Sequence, residues 1–406
     1  MHKQWIAGLL AAFLLFCCGC SLLPFNPPED TPETKPTTPS TDYSAEYADN
    51  WCYRGLTPRL RQMYGAVYAA VKECDTDTHI SIHNGDGTAT DYIGLKVQLP
   101  IAMTGSEEAR LLFTAFTTDN PQFFFVGNTY SYEGYRLDGV DYYDVFCLTL
   151  TMDAATRRAA YTSLEKAVTA LMATLPEGLS EYETERQLHD KLVAGITYDN
   201  ETAESPAPAQ QRPTAFSAYG ALVEGSAVCE GYSRAMQLLL HRAGIPCTLV
   251  SGISAEGEAH MWNLVEIDGR GYHLDATWND ADDHLHHTYF NLTTEEILRS
   301  HTPDKDNLNV GTCTATEAHY YTKEERYLDT YDRSLIAEAV AKQVKAGAEM
   351  VELRFSPDTF ANAQLFFSSS RRLNQYIAPF LEGESMWKYT CRYNDVYHTL
   401  TLYKEV

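Results

Sequence analysis

Residues 225–280 read GSAVCEGYSRAMQLLLHRAGIPCTLVSGISAEGEAHMWNLVEIDGRGYHLDATWND. Tyr232, Met236, Leu239 and Ala243 recur at helical spacing, and Gly244 with Pro246 behind it marks a helix stop. Ser226 is a candidate N-cap, which places Cys229 in the first turn, on the face of Tyr232 and Met236. A thiol there lies beside unpaired backbone N–H groups and the positive end of the helix dipole, both of which favour the nucleophilic thiolate. The same N–H groups can stabilise an oxyanion.

Beyond the helix and an apolar strand from Cys247, residues 258–267 and 270–277 alternate like strands, and Asp268-Gly269 between them is a two-residue turn signal. One helix and a three-stranded meander follow from this pattern. Pairing Ile267 with Arg270 sets His260 opposite Thr277 and Trp262 opposite Asp275. His260 and Asp275 then share a face as diagonal neighbours, about 7 to 8 Å apart at Cα. A three-residue loop would reverse that parity. A thiolate needs a base to take and return a proton, and the imidazole needs a carboxylate to fix its tautomer. Cys229, His260 and Asp275 supply these roles in that order, while His273, further from His260 on the same face, reads as structural.

As an ordered set these residues resemble the bacterial transglutaminase-like proteins, whose fold is related to papain-like cysteine peptidases. The matching pieces are Val228-Cys229-Glu230-Gly231-Tyr232, Gly244-Ile245-Pro246, His260-Met261-Trp262-Asn263 and the run from Asp268 through Tyr272 and Asp275 to Trp278. Tyr289-Phe290-Asn291-Leu292 resembles the segment that follows in this group, and Ile196-Thr197-Tyr198-Asp199 its lead-in. The resemblance spans roughly residues 180–301. It implies an α+β fold, with a helix carrying the cysteine packed on an antiparallel sheet, and an acyl-enzyme reaction without a cofactor. For the second oxyanion donor and support of the triad, Tyr198, Gln211 and Trp262 are the candidates.

The remainder of the chain of 406 residues sets the context. With 44% hydrophobic residues it can build real cores. Its net charge of -24, from 31 basic and 55 acidic residues, repels phosphate backbones and argues against nucleic-acid binding. Residues 1–20 carry Lys3, an apolar run from Trp5 to Phe16 and then Cys17, Cys18, Gly19 and Cys20, which is too short to span a bilayer. The ending resembles a bacterial lipobox with Cys20 as the lipidated residue and Cys18 as the alternative. From Pro24 to Thr41, six of eighteen residues are proline, a composition suited to a stalk of up to roughly 55 Å if extended. The expected address is outside the cytoplasm, tethered to the membrane by this anchor alone.

The expected organisation is a signal over 1–20, a stalk over 21–42, an N-terminal α/β domain over 43–178, the catalytic domain over 179–324 and a small α+β domain over 325–406. In the first domain the pattern gives helices over 57–72 and 107–117 and strands over 122–126 and 141–150. Helices over 153–174 and 182–194 lead into the centre. Tyr130, Tyr132, Tyr135, Tyr142 and Tyr143 read as half-buried strand aromatics rather than a sugar- or peptide-stacking surface. The last domain should hold a helix over 335–344, a strand over 350–355, helical residues to about 378 and a closing hairpin.

Rival sites are weaker. His284, His286 and His287 with Asp280, Asp282 and Asp283 contain metal-ligand types but read as a solvated acidic loop, so no metal is expected. Gly65, Gly94 and Gly139 are isolated, outside any phosphate-binding or dinucleotide fingerprint. Of the ten cysteines, Cys247 reads as core, and Cys52, Cys74, Cys147, Cys313 and Cys391 show no evident pairing. The sequence thus points to a surface thiol enzyme acting on peptide or glutamine amides, including cell-wall peptide, by hydrolysis or amine transfer. The alternative is a catalytically inactive domain of the same fold serving as a surface binding or adhesion module.

Overall fold

The computed structural model describes residues 41–405 apart from 84–87, 206, 208–211, 282–283, 309, 384–385 and 387. The proposed signal, Cys20 and most of the stalk, as well as Gln211, Asp282 and Asp283, lie outside the described residues. The class is α+β. The chain forms two compact units, one holding the described residues to Asp268 together with Thr302–Gly311, the other Gly269–His301 and Thr312 onward.

The first unit begins with helices packed on a four-stranded antiparallel sheet. Helix α1 (Pro58–Lys72) is capped by Thr57, whose hydroxyl accepts from Leu60 N, and has Pro58 where a missing N–H costs nothing. Its buried face, Leu60, Met63, Tyr64, Val67, Tyr68 and Val71, covers an antiparallel sheet of β1 (Thr78–His83), β2 (Ala89–Met103), β3 (Val126–Leu137) and β4 (Val140–Leu150) in the order β1-β2-β4-β3. Helix α2 (Ser106–Asp119) adds Leu112 and Phe116 to the same core.

The expected strand over 122–126 is corrected here. Pro121 opens a 3₁₀ turn, Pro121–Phe123, and the strand begins only at Val126; the alternating burial of Phe123 and Phe125 belongs to a bend. Tyr130, Tyr132, Tyr142 and Tyr143 are half-buried as expected, whereas Tyr135 is exposed; the rings pair, Tyr132 with Tyr143 at 4.6 Å and Tyr135 with Tyr142 at 5.7 Å between centroids. Among the described residues every cysteine is free, and Cys247 is fully buried.

Helix α3 (Ala154–Met172), capped by Asp153, and α4 (Glu181–Gly195), with a reciprocal Ser180–Glu183 capping box, lead to the cysteine helix α5 (Cys229–Arg242). Gly244 follows it at φ 76°, the left-handed stop expected there. The position expected to divide domains near residue 178 is bridged: Arg234 and Gln237 of α5 donate to Thr117 O at 3.0 Å and Thr118 O at 2.9 Å, at the end of α2.

Strand β5 (Cys247–Ser254) pairs antiparallel with β6 (Ala259–Ile267), so that Gly252 faces His260 and Val250 faces Trp262. The chain then turns at Asp268 and Gly269, both at positive φ (50° and 74°), the conformation of a two-residue I′ turn.

In the second unit, β7 (Arg270–Leu274) stops short of the expected end at Thr277. Asp275 turns the chain instead, its carboxylate accepting from Thr277 N and Trp278 N. The rest is a second sheet, Tyr327–Leu328, β8 (Met350–Phe355), β10 (Thr399–Lys404) and β9 (Tyr389–Asn394) in that order, under helices α6 (Arg333–Lys345), α7 (Pro357–Phe367) and α8 (Ser370–Ile377). Its core centres on Ile336, Val340, Leu353, Phe366 and Leu400. Among the described residues no helix is long and apolar enough to cross a membrane.

Asp119 closes the junction between α2 and the helix Trp51–Gly55 by accepting from Cys52 N and Tyr53 N at 2.9 and 2.8 Å. Burial raises its carboxyl from 3.8 to about 6 despite those amides. Between these values the folded chain binds a proton that the unfolded chain has released, so this group's contribution to stability falls as pH rises from about 4 to about 6. A change of this size corresponds to at most about 3 kcal/mol. Wild-type unfolding free energy should decline over that window relative to Asp119→Asn; parallel curves would contradict this.

Candidate active site

The cysteine helix starts without the expected cap. Ser226 lies in a two-residue strand, paired parallel with Thr197–Tyr198, and Arg212 donates to its hydroxyl and its carbonyl, both at 3.1 Å. The N-cap is Val228, which has no side-chain oxygen and whose own N–H donates to Ala215 O at 3.0 Å. The N-cap residue thus contributes no side-chain cap to the first turn, whose N–H groups point along the helix axis at the Cys229 end. Cys229 is half-buried at that end, whereas Tyr232, Met236 and Leu239 are fully buried below it.

Two side chains fasten this turn to the strand that carries His260. The Ser233 hydroxyl lies 2.9 Å from both Cys229 O and Met261 O. Asn263 Nδ2 donates to Ser233 O at 3.0 Å. The asparagine of the His-x-Trp-Asn motif is thus a strut between helix and strand. Below His260 the Trp262 ring is fully buried, 6.2 Å from the imidazole and tilted by only 19°. Gly252, paired with His260, has no room for a side chain: a Cβ there would stand 2.3 Å from Thr302 O.

Of the support candidates, Tyr198 pairs with Ala227, two residues before Cys229, and its ring lies 6.3 Å from that of Tyr232. It is placed at the start of the cysteine helix. Trp262 lies beside the His260 ring and nearly parallel to it.

Asp275 belongs to the second unit and is fully buried. One carboxylate oxygen accepts from Thr277 N at 3.0 Å and Trp278 N at 3.1 Å; the other lies 3.1 Å from His301 Nε2. The sequence reading missed His301, which is 26 residues away from Asp275 and at the last position of the resembling stretch. No local pattern marks it. His273 is buried, with Nε2 3.1 Å from Thr294 Oγ1, and burial pushes its pKa down to about 4, helped by nearby His301, in keeping with a structural role.

The histidine-rich loop is a correction. His286 and His287 are buried, not solvated: His287 Nδ1 lies 2.8 Å from Glu352 Oε2, and Tyr403 OH contacts His286 Nε2 at 2.9 Å. Burial would raise the Glu352 carboxyl, but the charge of His287 and hydrogen bonds from both histidines outweigh it and hold Glu352 well below the usual carboxylate range. The reason is long-range, since Glu352 comes from β8 on the far side of the domain boundary expected at 324.

Residues 170–276 match the family model of the transglutaminase-like superfamily core. Among solved structures the chain is similar to a TGase (18% identity, 45% of this chain and 50% of that chain, TM-score 0.25). It is also similar to a protein from Cytophaga hutchinsonii provisionally assigned as a cysteine protease (13% identity, 36% and 61%, TM-score 0.21). A third is the periplasmic domain of TgpA from Pseudomonas aeruginosa bound to ethylmercury (14% identity, 47% and 74%, TM-score 0.16). The chain spans about half the length of the TGase it resembles. No curated protein matches it.

Gly231, in the first turn of α5, tests the local fit. Alanine normally stabilises a helix by about 1 kcal/mol over glycine. Here a Cβ would lie 2.5 Å from Ala215 O and 2.6 Å from Ala227 Cβ, the backbone and side chain that aim the turn. Overpacking of about 1 to 3 kcal/mol should win. Gly231→Ala is expected to lower the unfolding free energy in denaturant titrations; an increase would show that the turn is not closely packed.

Proposed function

With residues 170–276 forming a transglutaminase-like domain, we propose that the protein is a thiol enzyme that cleaves or exchanges peptide or glutamine amides through Cys229, His260 and Asp275. The observation that carries this reading is the uncapped first turn at Cys229, hydrogen-bonded through Ser233 to the strand of His260. The two-residue turn at Asp268-Gly269 supports the hairpin parity on which the role of Asp275 depends.

In this mechanism His260 takes the thiol proton as Cys229 Sγ adds to the amide carbonyl carbon. The oxyanion that forms is held by first-turn N–H groups. Collapse breaks the C–N bond, and His260 returns the proton to the departing amine, leaving a thioester on Cys229. Water or a second amine then adds to the thioester with His260 as base, and the thiol is regenerated. Asp275 fixes the tautomer of His260 and stabilises its cationic form. In this reading Tyr198 assists the oxyanion, and its pairing with Ala227, two residues before Cys229, supports that role.

The setting belongs to the same proposal. The protein acts outside the cytoplasm on peptide or protein substrates, cell-wall peptide among them, tethered by lipid on Cys20. Mass analysis of a labelled glutamine peptide incubated with and without a primary amine tests the chemistry. Wild type should release ammonia or cleaved peptide, or incorporate the amine, and Cys229→Ala should lower that rate by at least about 10³-fold. Product formed equally by Cys229→Ala, or none by wild type, contradicts the proposal.

A further inference from the structure

Asp275 is held by more than the turn it caps. An ionised carboxylate only accepts hydrogen bonds, so His301 Nε2 carries the hydrogen in the 3.1 Å contact to Asp275 Oδ2. The other ring nitrogen, Nδ1, lies 2.8 Å from Ser300 Oγ, and Ser300 Oγ is 2.6 Å from Tyr397 OH. Tyr397 OH in turn reaches Glu296 O at 3.2 Å. Burial pushes the Tyr397 hydroxyl up to about 12, so it stays protonated and able to donate.

The imidazole is also fixed sterically. The Trp278 ring lies 4.4 Å from that of His301, and Tyr289 closes another side at 5.9 Å. Asp275 and Tyr397 are fully inaccessible and His301 is 2% exposed. All of these groups belong to the second unit. A buried hydrogen-bonded chain therefore runs from the carboxylate to Tyr397, just ahead of the last strand of the chain.

A carboxylate offers about four acceptor positions. The turn amides of Thr277 and Trp278 take two and His301 takes a third. Together they set the rotation of the carboxylate about both side-chain torsions.

From this we infer that His301 is a positioning residue for the reaction, holding Asp275 in the orientation in which its fourth acceptor position serves His260, with Ser300 and Tyr397 holding His301. The inference rests on the proposed Cys229–His260–Asp275 reading. It assigns the region around Tyr397 a part in the chemistry rather than in folding alone. Loss of the His301 donor frees the carboxylate to rotate and weakens the imidazolium partner of the thiolate.

The test is the rate of iodoacetamide alkylation of Cys229 at pH 6.5, followed by peptide mass spectrometry so that the other cysteines are resolved. It needs no knowledge of the substrate. Reactivity at that pH reports the thiolate, and removing its base with His260→Ala should slow it about 10-fold. His301→Leu should slow it about 3- to 10-fold, and His301→Gln, whose amide can donate near the position of Nε2, should return it to within about 2-fold of wild type. Thermal melts accompany each variant. If His301→Leu does not melt cooperatively, Ser300→Ala and Tyr397→Phe take its place, with expected slowing of about 2- to 5-fold. Wild-type reactivity in the folded substitutes, with His260→Ala slowed, overturns the role of His301 and leaves the triad standing. So does a folded His301→Gln that is as slow as His301→Leu. No effect of His260→Ala removes the triad reading itself, and this inference with it.

Discussion

The hydroxyl of Ser233 lies between two carbonyl oxygens, Cys229 O in its own helix and Met261 O in the neighbouring strand, 2.9 Å from each. Much of the site's geometry depends on that contact. It joins the first turn of the cysteine helix to the strand position next to His260, and Asn263 repeats the link one turn away through Ser233 O. Polar struts with buried side chains of this kind fix register and distance more sharply than apolar packing, because a shift of either element leaves a buried donor or acceptor unsatisfied at a cost of about 1 to 3 kcal/mol.

The elements around this joint agree with it. Gly231 and Gly252 are bare where backbone presses on the helix and on the strand, so both elements can be approached closely. Arg212 binds Ser226, Asp199 and Glu224 together and so steers the chain into the helix. Val228 at the N-cap brings no side-chain oxygen to the first-turn N–H groups, a local loss of helix stability of about 1 kcal/mol relative to a capping residue.

Much of this was legible in the sequence because it is local. Helix spacing through Tyr232, Met236 and Leu239, the stop at Gly244 and the Asp268-Gly269 turn all depend on neighbours in the chain. What was not legible depends on distant partners. Ser226 has the chemistry of a cap, but Arg212 and a two-residue strand claim it. Strands β1 and β2 carry exposed polar residues, and β2 contains both Gly94 and Pro100, the latter within a break in register between Gln98 and Met103, so no clean alternation announces them. His286 and His287 read as solvated only while Glu352 is out of view, and His301 has no signal short of the fold that brings it to Asp275. Tyr198 is set at the helix start by pairing, whereas Gln211 falls outside the described residues.

The central claim is that Cys229 carries the acyl group of an amide substrate. Its most direct test is to mix the protein briefly with a nitrophenyl ester of an N-acylated glutamine, quench in acid and map the adduct by mass spectrometry. The account predicts a single acyl adduct on the peptide containing Cys229, released by hydroxylamine as a thioester must be, and lost in His260→Ala. An adduct confined to another cysteine, or none in the wild-type protein, would contradict it.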